Sequence, residues 1–213
     1  MTTTPQFEPF GKIARFFRNV TITEKLDGTN ASIHIIKPEI DISNFDLWTA
    51  QVGKYLIWAG SRTRWITPEN DNFGFAKWVA DHAEELVHLG VGTHRGEWWG
   101  NGIQRNYNID NKRFSLFNTS KWCDIDDEPK EFPTQDPRIT SKQVYAPPCC
   151  HVVPVMWRGV MSSNEVENCL QHLEEAGSLA APGFKKPEGV VIYHEAANIY
   201  FKATLENDEG KHG

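Results

Sequence analysis

The sequence predicts an α+β fold built mainly of antiparallel sheets with flanking helices. Strand-like runs outnumber helical runs, and the two kinds do not alternate as they do around a parallel sheet. The composition is that of an ordinary globular protein, with 23% charged residues and a net charge of −6. At 213 residues the chain can bury about 70% of its unfolded surface without a disulfide or metal. We therefore expect a single domain over residues 1–213.

Runs rich in β-branched residues predict the strands. The first two flank a polar break, Glu24–Asn30, which contains an Asp-Gly turn signal. The last two form a predicted terminal hairpin. In chain order, the predicted strands are Val20–Thr23, Ala31–Ile36, Lys54–Ala59, Phe114–Phe117, Val152–Trp157, Val190–Tyr193 and Ile199–Leu205.

Apolar residues at helical spacing predict two helices. The first has about four turns and ends at Gly90. The second begins at Ser162 and Glu165, which have the spacing of a capping box, and ends at Gly177. The apolar positions of the first helix are Phe75, Trp78, Val79, Leu86 and Leu89.

Residues 119–150 are interpreted as an acidic and proline-rich excursion within the domain. Six acidic residues lie between Cys123 and Asp136, where Lys130 is the lone lysine. Strand patterns on both sides of this segment still need partners, so it is not a linker between domains.

The overall composition excludes several classes of protein. The N-terminus lacks a basic segment followed by an apolar core, and no apolar run approaches ~18 residues, so we expect neither a signal peptide nor a membrane span. Four cysteines indicate reduced thiols and a cytoplasmic protein. The Cys149-Cys150-His151 run lacks zinc-ligand spacing. Net acidity argues against general coating of nucleic acid but permits a local basic groove, and the eight Trp include candidates for stacking faces as well as for the core.

The polar break between the first two strands is the most informative segment. It contains Lys25 between a strand and a glycine turn, which places the lysine at the mouth of a pocket. Gly28 lets the backbone approach a phosphate closely because it has no side chain. A lysine becomes a nucleophile only when neutral, so burial or nearby cations would be needed. The alternative is a surface lysine beside an ordinary turn.

Five further segments carry side chains that are candidates for binding or catalysis. Ser61–Arg64 offers two guanidinium groups suited to phosphate, and Glu97 lies among glycines and aromatics, where it could accept both hydroxyls of a ribose. Phe117 is either core or a stacking face. Glu188, at the start of an apolar strand, either holds a divalent metal or is a solvated strand end. Lys202 is a second lysine in the next strand.

In this order, the segments resemble the nucleotidyltransferase motifs of the covalent ligase and capping-enzyme superfamily, whose adenylation domain is ATP-grasp-like. Lys25-x-Asp27-Gly28 is similar to motif I, and the later matches are Glu97 in motif III, Phe117 in motif IIIa, Glu188-Gly189 in motif IV and Lys202 in motif V. Within the superfamily the chain most resembles RNA ligases of the RNA-ligase-2 type, which include phage and RNA-editing enzymes. This closer resemblance lies in Gly28-Thr29-Asn30, Ser61-Arg62 and Gly96-Glu97, and the whole resemblance spans residues 22–204.

The resemblance implies a sealing reaction in three steps. Lys25 attacks the α-phosphate of ATP with Mg²⁺ or Mn²⁺ present, and a lysyl-AMP forms as pyrophosphate leaves. The AMP then moves to a nucleic-acid 5′-phosphate, and a 3′-hydroxyl displaces it, with RNA the favoured substrate.

The resemblance also implies roles for the other residues. Glu188 would hold the metal, Glu97 the ribose and Phe117 the adenine, while Gly28 and Lys202 belong to the nucleotide site. Glu24 and Asp27 would help to position the base and the phosphate ends of the nucleotide. Asn30 and Arg62 match positions tied to the steps after adenylation.

Two departures from the family pattern concern positive charge and strand binding. Motif V usually carries two lysines one residue apart, but here Lys202 has Tyr200 or Thr204 in the other slot, and the strand after Glu188 has Tyr193 where a basic residue is common. We expect no oligonucleotide-binding barrel after motif V, so clamping of the strand is expected from this domain or a partner protein. The open alternatives are a DNA ligase, a capping guanylyltransferase, and a non-sealing module that binds nucleotides or RNA ends.

Overall fold

The computed structural model describes residues 6–40, 43, 45–122 and 146–206. These residues form a mixed α+β fold dominated by antiparallel sheets, which confirms the predicted fold class. Most of the predicted acidic excursion, residues 123–145, lies outside the described part of the chain. No helix among the described residues is long and apolar enough to span a bilayer.

The described residues contain eleven strands and four α-helices. The strands are β1 (Asn19–Lys25), β2 (Thr29–Ile36), β3 (Ala50–Val52), β4 (Tyr55–Gly60), β5 (Trp65–Ile66), β6 (Gly92–Gly100), β7 (Lys112–Leu116), β8 (Cys150–Val152), β9 (Val155–Val160), β10 (Gly189–His194) and β11 (Ile199–Thr204). The helices are α1 (Phe75–Asp81), α2 (Ala83–Leu86), α3 (Thr119–Trp122) and α4 (Ser163–Ala176).

The strands form two sheets. The four-stranded sheet has the order β11-β10-β1-β9, and the seven-stranded sheet has the order β3-β4-β2-β6-β7-β8 with β5 beside β4. Every ladder is antiparallel except the pair of β7 and β8. The chain passes from the first sheet to the second between β1 and β2, which is where the Lys-x-Asp-Gly segment lies.

Each sheet has one face packed on helices. In the seven-stranded sheet, apolar residues such as Ile33, Ile57 and Phe114 pack against Phe75 and Val79 of α1. In the four-stranded sheet, the apolar face packs against α4, with a core that includes Ile22, Val190, Ile192, Cys169 and Leu173. Because successive side chains of a strand point to opposite faces, the other face of each sheet is free to carry polar groups.

The first predicted helix is interrupted. It consists of α1, α2 and a 3₁₀ turn at Val87–Leu89 that ends at Gly90. The break is at His82, where φ departs to −113° and the ring Nδ1 lies 2.8 Å from the carbonyl oxygen of Trp78. The second predicted helix is confirmed as α4, but the predicted capping box is wrong, since Ser162 makes no side-chain capping bond.

The predicted strand Val152–Trp157 is two strands in different sheets. Pro154 lies between β8 and β9, where it has no N–H to donate to a ladder, and its carbonyl oxygen accepts a bond from the Glu24 N–H at 2.9 Å. The sequence analysis also missed β6, the strand between β2 and β7. Its Gly-Thr-His-Arg-Gly-Glu sequence lacks the apolar alternation that marked the other strands.

Candidate active site

Lys25 and Glu188 form the centre of a cleft between the two sheets. Lys25 Nζ donates to Glu188 Oε2 at 2.6 Å, and the two side chains are 24% and 17% exposed. Lys25 is the last residue of β1 and pairs with Gly189 of β10, so the residue before Gly189 is held beside the lysine. The register of β1 and β10 therefore brings together two predicted site residues 163 positions apart.

Glu97 faces this pair from β6. Its Oε2 accepts a bond from Asn30 Nδ2 at 3.0 Å, since Asn30 and Glu97 are direct partners in the β2–β6 ladder. Burial raises the pKa of Glu97 to about 7, although the bond from Asn30, the charge of Lys25 and the N–H of Gly28 oppose the shift. The negative charge of Glu188 adds to the rise. The cleft thus holds a carboxyl group that changes charge near neutral pH.

Gly28 brings the first motif against β6. A Cβ atom at this position would collide with the carbonyl oxygen of Trp98 and lie 2.7 Å from the Cβ of Trp99. Only glycine permits this close approach of the two backbones. The space at Gly28 is thus occupied by protein, and its predicted approach to a phosphate stays a prediction.

Lys202 lies on the same face of the four-stranded sheet as Lys25. In the β10–β11 ladder, Thr204 pairs with Gly189, the cross-strand partner of Lys25, and Lys202 and Tyr200 follow two and four pairs further along. Both alternatives for the second basic slot, Tyr200 and Thr204, therefore lie on the face of Lys25. Thr204 is in the same cross-strand row as Lys25.

Phe117 lies at the open end of β7. Its N–H donates to the carbonyl oxygen of Arg95 at 3.0 Å, which continues the β6–β7 ladder and puts the phenyl ring on the face of Glu97. The ring is 36% exposed, whereas Phe114 and Leu116 are buried on the other face. This placement favours a stacking face over a core position.

Arg62 lies in the turn Ser61–Arg64, directly after β4. The turn is closed by a bond from the Ser61 N–H to the Arg64 carbonyl oxygen at 2.8 Å. Because Gly60 pairs with Ser32, the turn is at the end of the sheet that carries Asn30. The exposed Arg62 and Asn30 thus share one edge of the cleft.

Glu24 is placed behind the cleft. Its Oε1 accepts a bond from the Ser178 hydroxyl at 2.6 Å, and its Oε2 accepts the N–H groups of Leu179 and Ala180 at 2.8 and 2.9 Å. Burial raises the pKa of Glu24 to about 7, and these hydrogen bonds oppose the shift. The carboxyl group fixes the loop after α4, so the geometry gives Glu24 a structural role, and its predicted nucleotide contact stays untested.

Asp27 is held by two residues that the sequence analysis missed. Its Oδ2 pairs with Arg105 Nε at 2.9 Å, and its N–H donates to the Tyr107 hydroxyl at 2.7 Å. Arg105 also bonds the Lys186 carbonyl oxygen and Glu206. The loop carries a run of left-handed residues, Gln104, Asn106, Tyr107 and Asn108. Its glycines and asparagines, directly after Glu97, were the available signal.

The carboxylates of the cleft fit a divalent cation bound together with phosphates. Mg²⁺ commonly binds through one or two carboxylates plus phosphate oxygens, and Glu188, bonded to Lys25, and Glu97, near both, offer hard oxygen donors. Glu188 remains the predicted metal ligand, and in this structure it is engaged by Lys25.

Comparisons with known proteins identify the fold and the family of the chain. The sequence profile of the RNA ligase family matches residues 18–204. No curated protein sequence matches significantly. Three similar solved structures are variants of an RNA ligase from Naegleria gruberi. One, without ligand, is 17% identical with a TM-score of 0.51, and the alignment covers 90% of this chain and 50% of the Naegleria gruberi chain.

The other two relatives contain ligands. A variant with ATP and Mn has 16% identity and a TM-score of 0.51, covering 90% of this chain and 50% of its own. A variant with AMP and Mn has 16% identity and a TM-score of 0.51, covering 89% and 50%. The chain thus spans about half the length of these relatives. Their likeness shows the fold, and because the family profile covers nearly the whole sequence, the chain belongs to the RNA ligase family.

Proposed function

We propose that the protein is an ATP-dependent RNA ligase that forms a lysyl-AMP and joins 5′-phosphate to 3′-hydroxyl ends. The observation that carries the proposal is the Lys25–Glu188 ion pair at 2.6 Å, in a cleft whose other wall presents Glu97. Family membership and the Naegleria gruberi structures with ATP or AMP and Mn support this chemistry.

In the first step, Lys25 Nζ attacks the α-phosphorus of ATP. The N–P bond forms as the bond from phosphorus to the pyrophosphate oxygen breaks. Before attack, Nζ must leave its ion pair with Glu188 Oε2 and lose a proton, which passes to water because the Lys25 side chain is partly exposed. Lys202, on the same face of the sheet, supplies positive charge for the phosphates. A bound Mg²⁺ or Mn²⁺, held by Glu188, would further neutralise phosphate charge.

Recognition of the nucleotide falls to the seven-stranded sheet. Glu97 accepts the ribose hydroxyls, and Asn30 orients its carboxyl group through the 3.0 Å bond. Phe117 offers its half-exposed ring to adenine. Asp27 and Gly28 fix the loop that follows the nucleophile, and Glu24 contributes by anchoring the loop behind it.

The later steps act on the strand ends. The AMP passes from Lys25 to the 5′-phosphate, and the 3′-hydroxyl then displaces AMP to form the phosphodiester. Asn30 and Arg62, at one edge of the cleft, are the residues we assign to these steps. A cytoplasmic location and a partner protein that helps to clamp the strands are parts of the same proposal.

Labelled nucleotides test the proposal directly. The protein is incubated with radiolabelled ATP, GTP or NAD and Mg²⁺ or Mn²⁺, and covalent label is read after denaturing electrophoresis. We expect label from ATP alone, followed by sealing of nicked RNA. Label from GTP would indicate a capping enzyme, and sealing restricted to DNA would indicate a DNA ligase. Absence of label from all three would favour the non-sealing module, which the single motif V lysine already suggests.

A further inference from the structure

A groove lined by aromatic rings lies beyond the candidate active site on the same sheet. It has a volume of about 350 Å³ and is lined by His34, Ile36, Phe45, Asp46, Trp58 and Trp65. We call His34, Trp58 and Trp65 the aromatic platform. None of these three residues takes part in the proposed chemistry at Lys25.

The aromatic platform is held in place by contacts within the sheet. The His34 ring lies 5.8 Å from the Trp65 ring and 6.1 Å from the Trp58 ring, and its Nδ1 is 2.7 Å from the Thr93 hydroxyl. Trp58 Nε1 donates to the Asp46 carbonyl oxygen at 2.9 Å. Trp58 is 7% exposed and forms the floor, whereas Trp65 is 43% exposed. The available stacking faces are therefore those of Trp65 and His34.

The platform is continuous with the cleft. Along β2, Asn30, Ser32 and His34 point to the same face, because side chains alternate. Trp65 pairs with Gly60, where a Cβ atom would lie 3.1 Å from the indole, so the glycine lets the ring settle over the sheet beside Ser32. From Asn30 to His34 the strand rises about 13 Å. That is the length of roughly four stacked nucleotides.

Arginines surround the platform although the whole chain carries a net charge of −6. Arg62 and Arg64 are exposed in the turn before Trp65. Arg95, also exposed, is the ladder partner of Ser32 on the neighbouring strand. Aromatic faces for bases beside cations for phosphates form the arrangement that binds single strands without sequence preference.

We propose that the aromatic platform binds single-stranded RNA a few nucleotides from the end that occupies the cleft. Bases stack on Trp65 and His34, and the phosphates between them contact Arg62 and Arg95. This inference rests on the proposed function in taking RNA as the substrate, but it assigns a binding surface that the ligation chemistry does not require.

The test is a titration of the protein, without ATP, against a fluorescein-labelled single-stranded RNA 12-mer, read by fluorescence anisotropy. Trp65→Ala should weaken binding about tenfold, while Trp65→Phe, which keeps a stacking ring, should restore most of the affinity. The matched control is Phe73→Ala, because Phe73 is 47% exposed and lies on the helix-covered side, where its carbonyl oxygen accepts a bond from Trp98. Circular dichroism and a thermal melt check that each variant is folded.

Two results would overturn the inference. One is a folded Trp65→Ala protein whose RNA affinity stays within twofold of the unchanged protein, and the other is a wild-type protein that binds no single-stranded RNA. Self-adenylation of the wild type, measured separately, keeps the two proposals apart. Labelling by ATP together with a failed RNA test would contradict only the proposal about the platform. The Trp65 effect without labelling would contradict only the proposed ligase chemistry.

Discussion

The two sheets bring different chemistry to the cleft between them. The four-stranded sheet supplies charged groups at its edge of the cleft, Lys25, Glu188 and Lys202. The seven-stranded sheet supplies a buried carboxyl group, an amide and an aromatic ring, from Glu97, Asn30 and Phe117. Changes in the first sheet should therefore alter the reaction of the phosphates, and changes in the second should alter the recognition of the nucleotide and the strand.

The junction between the sheets sets how these groups face each other. Gly28 lies directly against β6, and Leu26 packs with Trp99 and Tyr107 in a small core cluster of its own. The Asp27–Arg105 ion pair adds a polar contact at the same place. Lys25, the proposed nucleophile, thus lies within two residues of a packed crossing between the sheets.

The largest effect should come from Lys25. Lys25→Ala should abolish covalent labelling by ATP while leaving the fold intact, because the side chain is partly exposed and serves chemistry rather than packing. Lys77→Ala, at a 70% exposed lysine on α1, is the control and should label normally. Labelled ATP and a thermal melt measure both properties. Labelling of the Lys25→Ala protein would show that the nucleophile has been assigned wrongly.

Glu24, the residue before Lys25, should matter for stability. Glu24→Ala removes the acceptor for the Ser178 hydroxyl and for two buried N–H groups, so we expect a loss of about 3–5 kcal/mol in the free energy of unfolding. Glu24→Gln, which keeps an acceptor oxygen, should lose much less. Urea denaturation measures both. A loss below about 1 kcal/mol in Glu24→Ala would remove the structural role.

This contrast shows what the sequence could and could not predict. The strand patterns of β1, β2, β10 and β11 could be recognised in the sequence, and the motifs named Lys25, Glu97 and Glu188, which the structure brings close together. Glu24 and Lys25 point to opposite faces because successive side chains of a strand alternate. The partners of Glu24, however, lie 154 to 156 residues away in the sequence. No local pattern contains such a contact.

The same limit explains the other failures. The Arg105 contact to Asp27 spans 78 residues and depends on a loop with left-handed backbone, whose glycines and asparagines indicate a turn but not its partner. β6 was missed because it lacks alternating apolar residues. One face carries polar residues of the cleft, and the other carries glycines that allow close packing. A Cβ atom at Gly96 would lie 2.7 Å from the Phe114 ring.

The carboxyl group of Glu97 should make stability depend on pH. Its pKa is raised from 4.5 to about 7 by burial, so the folded state favours the protonated form. The contribution of Glu97 to stability is therefore greatest below about pH 4.5 and is lost as pH rises through about 7. Glu97→Gln should remove up to about 3 kcal/mol of this decline, leaving the part due to Glu24. Denaturation at several pH values measures it, and an equal slope in both proteins would contradict the raised pKa.

Phe117 tests recognition by the second sheet. Phe117→Ala should weaken ATP binding by ~1–3 kcal/mol through lost stacking, with little effect on stability because the ring is half-exposed. Phe114→Ala, three residues earlier and buried, is the matched control and should cost ~3–5 kcal/mol of stability. An ATP titration beside a thermal melt separates the two. A large fall in the melting temperature of Phe117→Ala with unchanged ATP affinity would show that Phe117 serves packing and not stacking on adenine.

The smallest effect should come from restoring charge in the first sheet. With Lys202 as the one lysine of motif V, self-adenylation should proceed but sealing should lag, so adenylated 5′-ends should accumulate on nicked RNA, more so at high salt, where phosphate contacts weaken. Thr204→Lys should reduce this accumulation more than Tyr200→Lys, because Thr204 shares a cross-strand row with Lys25 whereas Tyr200 lies four pairs away, with its ring 4.7 Å from that of Tyr193.

The control for this last change is a lysine on the opposite face of the same strand. Ile199→Lys adds the same charge at a 45% exposed position that alternates with Tyr200 and so points away from the cleft. A time course on nicked RNA at several salt concentrations gives the fraction of adenylated ends. Complete sealing without that intermediate at every salt concentration would remove the argument. An equal benefit from Ile199→Lys would show that net charge, rather than charge on the face of Lys25, limits the sealing step.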